Sequence, residues 1–501
     1  MAANDTTYTD LLVRNARLHG DRTAFQIASH APTHREQLAR TAQLAAGLRG
    51  LGVGPGDRVA ILARNRIEFL DLLGAAAHLG AIVSAINWRL STAEVALVLA
   101  GDTPKLVLVD DEFWPLLDDA LARPDAPDPI RLDSPRDGFR HVSQLYLEVG
   151  CEPATVAADD PLLLIHTAWS DQRPKAATLT HRNLLANALQ LQQAWTLGPQ
   201  DVHLCCLPLF HSTAVSLTLA TQMAGGSSVL MPAYQAGEAL ALIGLHRVSL
   251  LAEFAPMLGG LLDAAASAPA MLASLRHVCG LDAPETIQRL EATCTGATFW
   301  TGYGQTEASG LVSLAPWRDL PGSVGLPLPL CAVDIVDEQG LPLPTGETGE
   351  IALRGPCVFA GYWQRPADNA QVFRSGRLHT GDSGHLDAQG VLWYSGRLAT
   401  KELIKTGGEN VYPDEVETVL RLHPQVVDVA VIGVVDAHWG ESVRAICVAA
   451  EGARPSEQEL IDFVGERIAR YKRPRVVVFA ATLPKKADGS NDRERIKQLY
   501  A

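Results

Sequence analysis

Between about residue 8 and residue 360 the chain alternates short apolar runs with longer segments of helical period. Residues 59–62, 82–86 and 162–166 read as short buried strands, and 94–100 and 183–197 as helices. That alternation predicts α/β layering. At 501 residues the chain also exceeds what one hydrophobic core usually fills, so at least two domains are expected. A Pro/Gly-rich stretch, from Pro321 through GLPLPTGETGE to GYWQRP, predicts turns between short strands, a small β subdomain. After Arg397 the pattern becomes compact. ELIKTGGENVYP leads into a helix at 414–422, strands at 426–434 and 443–448, a helix at 456–469 and a strand at 476–479. A separate α+β domain of about 100 residues is the simplest account.

The 42 basic and 56 acidic side chains leave a formal charge of −14, which argues against nucleic acid or an anionic membrane as the main partner. An anionic ligand must therefore be held by a local site. No basic-then-apolar leader opens the sequence, and no apolar run approaches the ~18–20 residues of a membrane helix, so a cytoplasmic protein is expected. The eight cysteines are scattered, without a C-x-x-C pair or histidines at metal spacing. Reduced thiols are expected, with neither a disulfide framework nor a protein-held metal.

Three blocks carry the chemistry: WTGYGQTE (300–307), LHTGDSGHLD (378–387) and GR followed by IKTGGENVYPDEVE (396–417). In their order and spacing they resemble the adenylate-forming (ANL) superfamily, and the chain is identified as one of its acyl-CoA synthetases. The resemblance implies a large N-terminal α/β domain with a β subdomain (1–396) and a small mobile C-terminal α+β domain (397–501), hinged about 397–401. Such enzymes join a carboxylate to AMP, then let a thiol displace the AMP. Carried over residue by residue, Thr306 and Glu307 would meet the α-phosphate and its Mg²⁺, Asp382 and Arg397 the ribose, and Tyr303 the adenine. Gly407 and Gly408 would wall the pantetheine tunnel, where bare backbone leaves room. Trp439, Tyr471, Arg473 and Arg89 would hold the nucleotide of coenzyme A, whose adenine suits aromatic faces and whose phosphates suit guanidinium. His211 would stand beside the carboxyl group, although a lone His also reads as a satisfied buried residue. His211, Thr306, Gly407 and Gly408 would form the reaction centre. Phe254, Met257, Leu281 and the small run Ala308, Ser309 and Gly310 would line the acyl pocket, although helix packing explains the small run nearly as well.

Two departures concern phosphate. The family's loop T-S-G-T-T-G-x-P-K-G-x-x-x-T-H aligns without a gap on Thr167–His181, and its three glycines become Trp169, Gln172 and Ala176. Glycines let backbone N–H groups converge on an anion. Asp171 adds a carboxylate, which at ~4 Å and an effective dielectric of about 20 costs a phosphate on the order of 4 kcal/mol. Ser170, Lys175 and Thr180 remain as donors. The family's C-terminal L-P-[KR]-T-x-x-G-K ends in a lysine that serves adenylation, and LPKKADGSNDR places Ser490 there. The hinge also holds two additional residues, Ala399 and Thr400. With the phosphate half reduced and the thiol half retained, the expected enzyme takes an acyl-AMP made by a separate adenylating partner and passes the acyl group to coenzyme A. Mg²⁺ is then dispensable. The pattern is similar to that of non-adenylating acyl-CoA synthetases of diterpenoid antibiotic pathways. A complete ATP-dependent ligase with a divergent loop, and a non-catalytic relative that binds acyl-AMP or coenzyme A, are the alternatives.

Overall fold

A computed structural model describes residues 6–170, 173–398, 401–436, 439–486 and 489–501, with only the backbone described at 168–170 and 173. Two eight-stranded sheets build the larger part. In one, strands Phe25–Gln26, Ser227–Leu230, Val202–Cys205, Leu250–Phe254, His277–Leu281 and Thr298–Gln305 run parallel, and Gly310–Pro316 and Leu326–Pro327 close the edge antiparallel. In the other, Pro161–Ser170, Ile82–Ala85, Arg58–Leu62 and Leu106–Val109 form the parallel centre. One core cluster joins Ile61 and Val83 of the second sheet to Leu230 and Leu250 of the first. The helices Ile67–Leu79 and Ser212–Met223, buried on nearly every side, belong to it. The first is apolar on most of its faces, and the second buries small hydroxyl residues such as Ser216 and Thr218 among its apolar ones.

The Pro/Gly-rich stretch contributes to an antiparallel sheet of Ala332–Val336, Gly349–Arg354, Arg377–Leu386 and Phe373–Arg374, with Leu392–Arg397 beside Arg377–Leu386. Beyond it a third architecture begins. Strands Glu409–Val411, Ile404–Thr406, Gly440–Ala449 and Val426–Asp436 form a sheet, with Val476–Phe479 parallel to Gly440–Ala449. It has its own core, including Val411, Leu420, Val431 and Leu460. The mixed α/β fold, with a large N-terminal part and a small C-terminal part, is the one the sequence motifs imply.

Local chemistry sets the element ends. Ser91 and Glu94 cap helix Thr92–Asp102 reciprocally, and Thr180 and Asn183 do the same for helix His181–Ala194. The helix expected over 456–469 ends early, at Gly465. The chain leaves it so that Ala469 enters an apolar cluster of the N-terminal part with Leu62, Ile86 and Val95. Beside Ala469, the buried Lys472 ammonium is 2.7 Å from Glu94 and also pairs with Glu415. Glu94 additionally accepts the Ala469 N–H at 2.9 Å. Burial works against the ammonium, but Glu415 and Glu94 hold Lys472 above the usual lysine range. This junction fixes how the two parts meet.

Candidate active site

A cavity of about 680 Å³ lies where the two parts meet, at the carboxyl ends of the central strands. Tyr303, Thr306, Glu307, Asp382 and Arg397 all line it. Asp382 and Arg397 are cross-strand partners, yet their side chains part company. Asp382 accepts the Tyr303 hydroxyl at 2.7 Å and the Lys401 ammonium at 2.8 Å through one oxygen, Oδ2. Arg397 donates to the Leu403 carbonyl at 2.8 Å and to Glu441 at 3.1 Å. Tyr394, which the sequence did not single out, stacks on Tyr303 with ring centroids 6.1 Å apart.

Thr306 shares a 3.2 Å hydroxyl contact with Ser212. Glu307 accepts the Tyr362 hydroxyl at 2.8 Å and the Thr167 hydroxyl at 3.3 Å. Magnesium beside substrate phosphates needs one or two protein carboxylates. Glu307 fits as one, and among the described residues no group of three His, Cys, Asp or Glu could cage a metal by itself.

The phosphate segment is a hairpin. Strands Pro161–Ser170 and Arg173–Thr180 pair antiparallel, with His166 opposite Ala176, Trp169 opposite Pro174 and Ser170 opposite Arg173. The ladder shifts register between Pro161 and Leu163 and again between His166 and Trp169, and Trp169 and Ser170 pair beyond the second shift. Lys175 lies 2.5 Å from Asp368 of helix Pro366–Val372, in a pair that is largely buried. Thr180 is occupied as the helix cap, and Ala176 packs with Ile82, Leu164 and Trp363. Asp171, Gln172 and the side chains of Trp169 and Ser170 lie outside the described residues.

Ser490 does not line the cavity. It is exposed, in a turn closed by the Lys486 N–H on its carbonyl at 2.8 Å. The neighbouring Lys485 binds Asp428 at 2.7 Å. What the C-terminal part presents to the cavity instead is Gly407 and Gly408, both at positive φ (+54° and +86°). A Cβ on Gly407 would lie 2.6 Å from the Trp439 ring, and one on Gly408 would lie 3.4 Å from Phe254. Only glycine fits the first position.

Trp439 and Tyr471 line the cavity, and Arg473 does not. Arg473 follows the tight turn Arg470–Lys472, and its stem runs beside Gly465. Arg475, which does not line the cavity either, lies with its guanidinium 4.9 Å from the Trp439 ring centroid. Arg89, expected to meet a coenzyme A phosphate, pairs with Glu409 of the C-terminal part and lies over Trp88. Glu409 also takes Asn87 at 3.2 Å and His211 at 3.0 Å. Burial pushes the Glu409 carboxyl up, but His211 and Arg89 outweigh it and hold it down to about 2.

His211, Phe254, Met257 and Leu281 line the cavity, together with Trp88, Phe210 and Tyr234, which the sequence did not reveal. Ala308, Ser309 and Gly310 do not line it. They are buried behind the wall, where the Ser309 hydroxyl bonds the Cys357 carbonyl at 2.9 Å. A Cβ on Gly310 would come within 3.0 Å of Asn187 and Ser216, so their small size serves helix packing. Lys405 also faces the cavity, 5.0 Å from the Phe254 ring, and burial lowers its pKa from the usual lysine value.

Residues 12–363 match the AMP-binding enzyme family and residues 415–490 the C-terminal domain of AMP-binding enzymes. A feruloyl-CoA synthase of Amycolatopsis sp is 35% identical over 97% of this chain and 98% of its own. A double mutant of the o-succinylbenzoate CoA synthetase of Bacillus subtilis, bound with a product analogue, superposes with a TM-score of 0.87 at 28% identity, covering 98% of each chain. The same Bacillus enzyme in complex with its acyl-adenylate intermediate gives 0.71 at 28% identity, over 99% of each chain. No helix among the described residues is long and apolar enough to cross a membrane.

Proposed function

The chain belongs to the acyl-CoA synthetases of the adenylate-forming AMP-binding enzymes, and we propose that within this family it performs the thioester-forming half-reaction on an acyl-AMP supplied by a separate enzyme. The observation that carries this reading is the phosphate segment. Trp169 and Ser170 are paired with Pro174 and Arg173 across it, and its lysine is neutralised by Asp368. The orientation of the C-terminal part supports it, because Gly407 and Gly408 line the cavity and Ser490 does not. The closer superposition on the product-analogue complex than on the acyl-adenylate complex accords with a thioester-forming arrangement, one that the Bacillus enzyme takes as well.

In this reading the coenzyme A sulfur attacks the acyl carbonyl carbon of the mixed anhydride. The C–S bond forms, the bond to the phosphate oxygen breaks, AMP leaves and the thiol proton passes to solvent. The carbonyl is already activated, so positioning and exclusion of water supply most of the acceleration, and Mg²⁺ is not required. Tyr303 and Asp382 hold the nucleoside, Thr306 places its hydroxyl beside the phosphate, and His211, fixed by Glu409, stands at the acyl carbon. Gly407 and Gly408 admit the pantetheine arm, and Trp439, Tyr471 and Arg475 receive the coenzyme A nucleotide. Trp88, Phe210, Tyr234 and Phe254 suit a bulky, apolar or aromatic acyl group. A place in diterpenoid antibiotic biosynthesis accords with such a group.

A panel of synthetic acyl-adenylates with coenzyme A tests this: AMP release should require coenzyme A, and acid-dependent ATP–pyrophosphate exchange should be absent. Robust exchange would instead favour a complete ATP-dependent ligase, the reading that full-length similarity to the feruloyl-CoA synthase supports.

A further inference from the structure

Lys401 has a built seat in the nucleotide half of the cavity. The Leu398 N–H donates to the Gly381 carbonyl at 2.9 Å, and the Lys401 N–H to the Leu398 carbonyl at 2.8 Å, which brings the lysine back beside Gly381. Gly381 sits at φ +73°, and a Cβ there would lie 2.9 Å from Lys401 Cδ. The missing side chain makes room for the lysine stem. At the end of that stem the ammonium meets the Asp382 carboxylate at 2.8 Å, the Thr380 carbonyl at 2.9 Å and Gln305 Oε1 at 3.4 Å.

The carboxylate oxygen that holds Lys401 also accepts the Tyr303 hydroxyl. A buried carboxylate on a cavity wall is what a ribose diol would take as acceptor. A nucleoside that does so competes with Lys401 for Asp382, and a half-buried ammonium cannot be left without an anionic partner. The phosphate of a nucleotide lies one sugar ring away, within the swing of a four-carbon stem, beside Gln305 and Thr306. Among the described residues, two further cations on that side are paired: Arg397 with Glu441 and Lys175 with Asp368. Lys405 lies toward the acyl wall, over Phe254.

We propose that Lys401 is a phosphate-binding residue, a cation delivered by the segment that joins the two parts, which moves from Asp382 to the adenylate phosphate when ribose takes the carboxylate. It would hold the charge of the departing AMP in a site where Ser490 and Lys175 do not. The proposal rests on the reading that an adenylate occupies this cavity.

Calorimetric titration of the full chain with AMP and with adenosine separates the two ideas. The wild type should bind AMP more tightly than adenosine. Lys401→Met should weaken AMP by roughly ten- to a hundredfold, the worth of one charge-assisted hydrogen bond, and leave adenosine unchanged or slightly tighter. Lys401→Arg should restore most of the preference for AMP. Should Lys401→Met fail to fold, judged by its melting temperature, Lys401→Gln carries the same expectation. Equal weakening of both ligands would mean that Lys401 only shapes the site, and unchanged AMP binding would mean that it does not touch the phosphate. Either result overturns the proposal while leaving the adenylate reading intact. A wild type that binds neither ligand overturns both.

Discussion

The segment 167–176 and the loop at Gly407–Gly408 reach the same cavity with opposite backbone behaviour. In the first, Trp169 and Ser170 pair across an antiparallel ladder with Pro174 and Arg173, and the cation of the segment is bound to Asp368. In the second, two residues at positive φ keep side-chain volume away from the cavity and let Trp439 close against bare backbone. An anion cradle needs free, convergent N–H groups, whereas a tunnel for a thiol arm needs only space. On the proposed reading, the comparison separates the side chains of a nucleotide site, which this chain keeps, from the backbone that would have to receive a polyphosphate.

The largest effect should come from reversing that difference. Combining Ser490→Lys with Trp169→Gly, Asp171→Thr, Gln172→Gly and Ala176→Gly should raise acid-dependent pyrophosphate release by roughly 10²–10³-fold, the worth of a positioned cation on developing charge. Ser490→Lys alone, or the loop alone, should gain little, because both defects act on one transition state. Ser490→Lys alone reaching ordinary ligase rates would break the comparison. Next in size, Gly407→Val should lower coenzyme A-dependent AMP release by roughly 10²-fold, since its side chain collides with Trp439 and misplaces the thiol. AMP affinity should be unaffected, and the same loss should not follow from Trp169→Gly.

Much of the fold was legible because it is local. Apolar runs in the parallel strands announce themselves within a few positions, whereas the caps at Ser91 and Thr180 set helix starts two residues earlier than the expected 94 and 183. The nucleotide residues were legible through the spacing of motifs. What stayed hidden depends on distant parts of the chain meeting. Lys472 pairs with Glu94 across 378 positions, and no periodicity reports such a contact. The same holds for Asp368 on Lys175 and for Trp88 and Tyr234 in the wall. The small side chains of 308–310 fit a pocket and a helix contact equally well until the helices are placed. Arg475, two residues beyond the expected Arg473, reaches the Trp439 ring, a contact no motif announces.

A smaller effect should attend the carboxylate that ties the thiol side to the N-terminal part. Glu409→Ala removes the partner of Arg89 and His211, and both are partly exposed, so solvent screens much of the loss. About a tenfold fall in kcat/KM for coenzyme A is expected. A rise would mean that Glu409 competes with a coenzyme A phosphate for Arg89. The pH dependence has a definite sign. The folded carboxyl titrates at about 2 against an ordinary 4.5, so its contribution is fully present above 4.5 and is lost as pH falls from there toward 2. Glu409→Gln should therefore cost stability at neutral pH and narrow its gap to the wild type in acid, as chemical denaturation at a series of pH values would read.

The smallest expected effect discriminates between two neighbouring arginines. Arg475 lies 4.9 Å from the Trp439 ring, and such a contact at a partly exposed site contributes about 0.5–1 kcal/mol. Arg475→Ala should thus raise KM for coenzyme A about two- to fivefold, with kcat for saturating acyl-AMP little changed. Trp439→Ala should do the same or more, because it removes the face on which an adenine would stack and uncovers Gly407. If the two side chains act together, the double variant should be no worse than Trp439→Ala alone. Arg473→Ala serves as the control, since its stem runs beside Gly465 while Arg475 lies over Trp439, and its KM should match the wild type. The reverse result, with Arg473→Ala impaired and Arg475→Ala intact, would mean that the C-terminal part turns further when coenzyme A binds. The thiol side would then be as incomplete in this arrangement as the phosphate side, and the contrast between the two regions would rest on the Gly407–Gly408 backbone alone.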